Sequence, residues 1–310
     1  MEAEQWGARD AVTGDGTLTI EWLGVATFRV RVAGRTLFFD TYLDRPPSLA
    51  DVGLTSAEVG EADFCFISHA HYDHLLGADV IAKATGAMVV GSYETARVLR
   101  DNDVAAPQIL AVSGGETVAV GGGVTVRVFP ALHSCLFATS SPHSGAECLG
   151  DLGVSAQERK ARVDNLFELI PTLGPEVAAH LQTTVGHSSP YDGGQLAYLL
   201  QTRDGSVLIS GSAGGWTGIW RGLRPDVAVL ALNGRPNVDG EPYQGSLAHY
   251  LVDQVELLRP SRVVLCHHDE LLPPIIPAVD TGEALAALAD RAGYARHVDL
   301  RYHDPVPILS

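Results

Sequence analysis

Alternating apolar and polar positions open the ordered part of the chain. Between Thr17 and Leu23, the residues Leu18, Ile20 and Trp22 fall on one face of an extended segment. After the turn Gly24-Val25-Ala26, Phe28, Val30 and Val32 repeat the pattern. Ala33-Gly34-Arg35 supplies a hairpin turn, and Thr36 to Phe39 follows, so residues 17–40 read as a β-meander. Residues 45–60 are polar and proline-containing, a loop of the kind that rims a pocket. A short apolar run, Phe64 to Ile67, has buried-strand character, and helical spacing begins at Leu75 and runs to Ala84.

The pattern then alternates between the two periods. Strands are expected at 87–90, 108–112 and 124–129, with a short helix at 94–102. Gly121-Gly122-Gly123 is a turn rather than a phosphate loop, because a strand follows it and not a helix. From Cys135 to about Gly194 the β pattern lapses. Val163, Leu166, Phe167 and Ile170 stand at helical spacing within 155–170, Pro171 would stop that helix, and 175–182 offers a second one. We read 135–194 as a helical insertion, either a lid or substrate-selecting element near a site or an ordinary surface excursion. Strands resume at 195–201, 206–209, 226–232 and 262–265, helices are expected at 251–258 and 281–292, and a final strand closes the chain. With no linker-like stretch and no repeat, residues 1–310 form one α/β domain.

Between the apolar run and the helical stretch lies Ser68-His69-Ala70-His71-Tyr72-Asp73-His74. Alternate side chains of an extended segment share a face, so His69 and His71 can converge on one ion. Asp73 and His74 diverge unless the chain turns, and a turn into the following helix brings both to the same mouth. Imidazoles with a carboxylate suit zinc, with manganese or iron as alternatives.

The pattern H-x-H-x-D-H resembles the signature of the metallo-β-lactamase superfamily, and the opening meander resembles the branch that includes the ascorbate-6-phosphate lactonases. The resemblance implies a four-layer αββα sandwich with one or two metal ions at the edge of its sheets. It implies His69, His71 and His133 as ligands of a first ion. Asp73, His74 and His267 would serve a second, with His268 as the other candidate, while Cys266 reads as a packed strand-end cysteine. It also gives Asp73 the role of orienting a water and taking its proton. Three positions depart from the pattern or stay open. Val25 stands where that branch carries histidine, Ser212 stands where a bridging aspartate is usual, and Asp40 is either a strand-end cap or a site-shaping group. For substrate contact the candidates are His187 in Gly-His-Ser-Ser-Pro, Asn233 unless its loop is a plain turn, and Ser212.

Composition narrows the partners. A formal net charge of −16 with no basic run argues against a nucleic-acid surface. No apolar run reaches the roughly 18 residues of a membrane span, and Met1 to Thr17 lacks a signal-peptide core, so a cytoplasmic location is expected. Cys65, Cys135, Cys148 and Cys266 show no C-x-x-C spacing and no disulfide framework. The expected function is metal-dependent hydrolysis of a small-molecule ester, lactone or phosphoester. Ser212 motivates the alternative, a non-hydrolytic binding protein that keeps a metal site.

Overall fold

Side-chain alternation along the strands builds the layers. The computed structural model describes residues 17–139, 147–169, 172, 174–272 and 276–309. The first sheet holds β1 (Thr19–Trp22), β2 (Phe28–Val32), β3 (Arg35–Phe39), β4 (Phe64–Phe66), β5 (Met88–Gly91) and β6 (Ile109–Ala111) in that order, with β17 (Val306–Pro307) outside β1. β1 to β3 pair antiparallel, whereas β3 to β6 pair parallel. The second sheet has the order β16-β15-β12-β10-β9-β8-β7. Its strands are β7 (Thr117–Gly121), β8 (Val124–Pro130), β9 (Leu196–Gln201), β10 (Ser206–Ser210), β12 (Val227–Ala231), β15 (Arg262–Cys266) and β16 (Arg296–His297). Because β9 runs antiparallel to both β8 and β10, while β10, β12 and β15 are parallel, β8, β10, β12 and β15 all run the same way.

Leu37, Phe39, Phe64 and Phe66 face the second sheet and are buried with Val126, Val128, Tyr198, Leu200, Val229 and Val264. Phe38 and Cys65, the alternate positions, face the other way and pack under α2 (Ala78–Thr85) and α3 (Tyr93–Asp101). Similarly, Leu199, Leu208, Leu230 and Leu265 face α7 (Leu247–Leu258) and α8 (Gly282–Arg291). Helices thus cover both outer faces, which is the αββα sandwich. Between the sheets Phe39 stacks on Phe66 at 5.2 Å, and Tyr198 reaches across to donate its hydroxyl to the Ile67 carbonyl at 2.6 Å.

Short elements escape the periodicity argument. The helix after the metal motif begins three residues earlier than expected, as α1 (Tyr72–Leu75), and breaks before α2. Gly77 makes that break at φ 93°, where a Cβ would lie 2.9 Å from the Thr41 carbonyl. Strand β7, helix α6 (Thr217–Trp220) and a small sheet of β11 (Gly214–Gly215), β13 (Asn237–Val238) and β14 (Glu241–Pro242) are additions of the same kind. In the 135–194 stretch, α4 (Ala156–Phe167) and α5 (Pro175–Thr184) form, while Ile170, Pro171 and His143 lie outside the described residues. α5 is fastened to the body: Val177 is buried in the inter-sheet core, Glu176 accepts the Ser48 N–H at 2.8 Å, and His180 Nε2 meets the Tyr42 hydroxyl at 3.0 Å. All four cysteines are buried and free, and among the described residues no helix is long and apolar enough to cross a membrane.

Candidate metal centre

The segments that follow β3, β4, β8, β10, β12 and β15 meet at one edge of the sandwich. His69 and His71 follow β4, and His133 follows β8. The three rings stand at mutual centroid distances of 4.7 Å, with His71 Nδ1 and His133 Nε2 only 3.1 Å apart. One nitrogen from each lies within 4.8 Å of the others. The loop behind His133 is braced on three sides. His133 Nδ1 sits 2.8 Å from the Ser134 carbonyl, Asn237 donates its amide to the His133 carbonyl at 2.9 Å, and the Ser134 N–H donates to Ser212 Oγ at 3.1 Å. Donation by Nδ1–H fixes the tautomer that leaves the His133 Nε2 lone pair free.

Beside this trio, Asp73 Oδ2 lies 3.4 Å from His74 Nε2 and 3.3 Å from His267 Nε2. The turn into α1 achieves this by placing both neighbours of the motif at its mouth. Asp40 resolves into a shaping role: its carboxylate accepts the Ser68 N–H at 2.7 Å, the Ser68 hydroxyl at 2.8 Å and His74 Nδ1 at 2.7 Å. It thereby directs His74 Nε2 towards Asp73. Asn233 does the same for His267, with its amide 2.8 Å from Nδ1. The Asn233 side chain is buried and engaged with His267.

Val25, the residue in the histidine's place, contributes its backbone. Its carbonyl accepts the His267 N–H at 2.7 Å, and its own N–H donates to Asp269, which also pairs with Arg45 at 3.1 Å. His268 points elsewhere and stacks on Trp22 at 4.9 Å, while Cys266 is packed in the core. His187 is 45% exposed and faces Asp79 of α2 at 3.5 Å. Ser212 is buried, with its hydroxyl engaged by the His133 loop. Ser68 and Asn237 escaped sequence reasoning because their partners are imposed by packing rather than by any local spacing.

Electrostatics sort the histidines. Burial, and then the neighbouring His74, hold His69 well below its ordinary value of 6.5, burial and His133 push His71 down to about 3, and burial lowers His133. For His74 burial acts in the same direction, but Asp73 and Asp40 on its two nitrogens outweigh it and raise it to about 10. Burial would raise Asp73, yet His74 and His267 hold its carboxyl well below the usual range. The first trio is thus neutral, as ligating imidazoles must be, while His74 would have to give up a proton to hold an ion. The residues fit a metal on a further observation: His69 Nε2 is buried without a hydrogen-bond partner, a costly state for an imidazole unless something ligates it.

These opposed shifts give a pH signature. The lowered trio contributes to stability above 6.5, and that contribution is lost as pH falls. His74 contributes fully below 6.5, and its share fades as pH rises towards about 10. Metal-free protein is therefore expected to melt highest near pH 6.5, and scanning calorimetry in chelator across pH 4.5–9.5 (about five steps) checks it. A melting temperature that climbs steadily to the alkaline end would contradict the His74 ion pairs.

Comparison with known proteins agrees with this picture. Residues 35–151 match a sequence model of the beta-lactamase superfamily domain. A UPF0173 metal-dependent hydrolase of Pyrobaculum calidifontis is 35% identical over 117 residues, which are 38% of this chain and 51% of the relative. The chain thus spans about half the length of that curated relative. A metallo hydrolase of the archaeon Ignicoccus hospitalis superposes with a TM-score of 0.61 at 19% identity, over 94% of this chain and 97% of the other. A diiron β-hydroxylase of Streptomyces venezuelae does so with a TM-score of 0.55 at 17% identity, over 95% and 55%. At such identities the two structures speak to the fold alone. The sequence match is to the superfamily domain and does not single out the lactonase branch.

Proposed function

We propose that this chain, a member of the metallo-β-lactamase superfamily, is a metal-dependent hydrolase of a small-molecule ester, lactone or phosphoester. The observation that carries the reading is the Asp73 carboxylate, held between His74 and His267 against a three-histidine set whose His69 also groups with Asp73 and His74. His69, His71 and His133 would hold a first ion, and Asp73, His74 and His267 a second. Zinc is our choice for both, with manganese or iron as alternatives that the same donors accept. Such an ion, when bound, lowers the pKa of water and polarises a carbonyl or phosphoryl oxygen.

Asp73 does the rest of the work on the protein side. Its carboxylate stays ionised, so it can orient a water and accept its proton. Asp40 and Asn233 keep the flanking imidazoles aimed at it. We place the protein in the cytoplasm, acting on a small molecule, with no nucleic-acid or membrane partner. The test is turnover of an ester, lactone and phosphodiester panel by zinc-loaded protein, with metal content measured per chain. Absence of turnover across the panel, with both sites filled, would favour the non-hydrolytic reading.

Ser212 bears on the second ion. A carboxylate between two cations screens their repulsion, whereas a serine hydroxyl offers one neutral oxygen, and this one is engaged by the Ser134 N–H. The natural protein is expected to titrate with one tight zinc and a second at least about tenfold weaker, a gap of roughly 1.4 kcal/mol. Ser212→Asp is expected to narrow that gap. Isothermal titration showing two equally tight sites in the natural protein would refute the expectation.

A further inference from the structure

Two residues at the metal centre hold left-handed backbone at the two ends of a single hydrogen bond. His267, at φ 57°, donates its N–H to the carbonyl of Val25, at φ 49°, over 2.7 Å. Neither is a glycine, so each conformation has to be imposed by its surroundings. The Val25 carbonyl also accepts the Trp22 indole N–H at 3.0 Å. The Val25 N–H donates to both carboxylate oxygens of Asp269, at 3.0 and 3.1 Å.

Asp269 is fixed in turn from two further segments. The Tyr302 hydroxyl donates to it at 2.6 Å, and Arg45 Nη1 pairs with it at 3.1 Å. The side chains of this pair are only 4% and 9% exposed. Arg45 lies close against the turn, where a Cβ at Gly24 would fall 2.6 Å from its Nη1, and its Nη2 donates to the Glu270 carbonyl at 2.6 Å. Residues 22–25, 45, 267–270 and 302 thus close a ring of contacts around the backbone of His267. Taking two charges out of water is costly, and a buried pair is no strong source of net stability. What this pair fixes is geometry. It sets the backbone from which the His267 ring reaches Asp73, with Nε2 at 3.3 Å, while Asn233 sets the ring itself through Nδ1 at 2.8 Å.

We infer that Asp269, with Arg45 behind it, is a positioning residue for the second ion: it holds Val25 in the left-handed conformation whose carbonyl carries His267 to Asp73. The inference rests on the reading of His267 as a ligand of that ion, and adds to it the groups that place the ligand. Asp269 itself touches neither ion nor substrate. Its effect passes through one backbone carbonyl and one backbone N–H.

Asp269→Ala removes the acceptor of the Val25 N–H. Titrated with zinc alone, this variant is expected to lose at least about tenfold in affinity at the second site and less than about twofold at the first. Asp269→Asn keeps an oxygen for the Val25 N–H but drops the charge that Arg45 pairs. It is expected to lose about threefold at the second site alone, and it carries the test if the alanine variant does not fold. Arg29→Met is the contrast for a general loss of stability. It breaks the pair of Arg29 with Glu21, 2.6 Å apart in the first sheet, and is expected to lower the melting temperature while leaving both zinc affinities in place. Circular dichroism reports the fold of each variant. A second site unchanged in Asp269→Ala, an equal loss at both sites, or uptake of a single zinc by the natural protein would overturn the inference. Zinc titration needs no substrate, so a protein that turns over nothing in the panel would end the hydrolase reading, while the metal still decides the role of Asp269.

Discussion

His69→Ala and His71→Ala are each expected to strip most of the bound metal from the protein and to lower turnover at least about a thousandfold, with the sandwich still folded. The fold survives because neither imidazole belongs to a strand or packs in the inter-sheet core, which is built from residues such as Phe39, Phe66 and Tyr198. The metal does not survive because each residue supplies one of three nitrogens gathered within 4.8 Å. Two remaining neutral ligands hold zinc weakly, and the chemistry that an ion supplies is lost with it. His69 carries a second penalty, since the alanine leaves a void in a fully buried position against His74. Plasma emission spectrometry gives zinc per chain, circular dichroism gives the fold, and full metal retention in both variants would remove these residues from the ligand set.

Chelation of the metal is expected to be the larger stability effect. The proposed ligands of the first set come from the end of β4 in one sheet and the end of β8 in the other, and those of the second set would join β4 to β15. An ion bound only by the folded state adds roughly 4 kcal/mol at a thousand times its dissociation constant, which is about 10 °C in melting temperature for a chain of this size class. The gain should grow between pH 6 and 9 (about three units), because ion binding displaces the proton that His74 otherwise keeps. Calorimetry with and without zinc checks both parts. A melting temperature indifferent to zinc would mean that the histidines form no site.

What the sequence made legible was whatever depends on neighbours. Leu18, Ile20 and Trp22, then Phe28, Val30 and Val32, alternate as a half-buried meander must, and each is found in the inter-sheet core. His69 to His74 could be read because strand and turn geometry act within six residues. His133 and His267 were reachable through their places at strand ends, and the structure brings them to the motif. Asp40 was undecidable, because its partner His74 is 34 positions away and only sheet pairing brings them together. The same distance hid the pairing of Asn233 with His267, which is also 34 positions away. His187 was chosen for its loop composition, which says nothing about the direction in which the loop faces. The helix start at Tyr72 was missed because the capping turn carries ligands where an ordinary helix start would show apolar spacing.

Three of the residues framing the metal centre hold a left-handed backbone without being glycine: Val25 at φ 49°, Asp40 at φ 55° and His267 at φ 57°. For an L-residue that conformation costs on the order of 1–2 kcal/mol, and a β-branched valine is the least suited to it. In evolutionary terms these positions carry a backbone cost that mutation could relieve. A population selected for heat resistance alone would be drawn to glycine or asparagine at 25 and 267, but not at 40, where the buried carboxylate holds Ser68 and His74. Glycine at 25 would keep the carbonyl that receives the His267 N–H, whereas either replacement at 40 removes the carboxylate that aims His74, and either at 267 removes a ligand. Durability and function therefore part company at 267, where backbone relief would remove an imidazole of the site, whereas at 40 the carboxylate serves both.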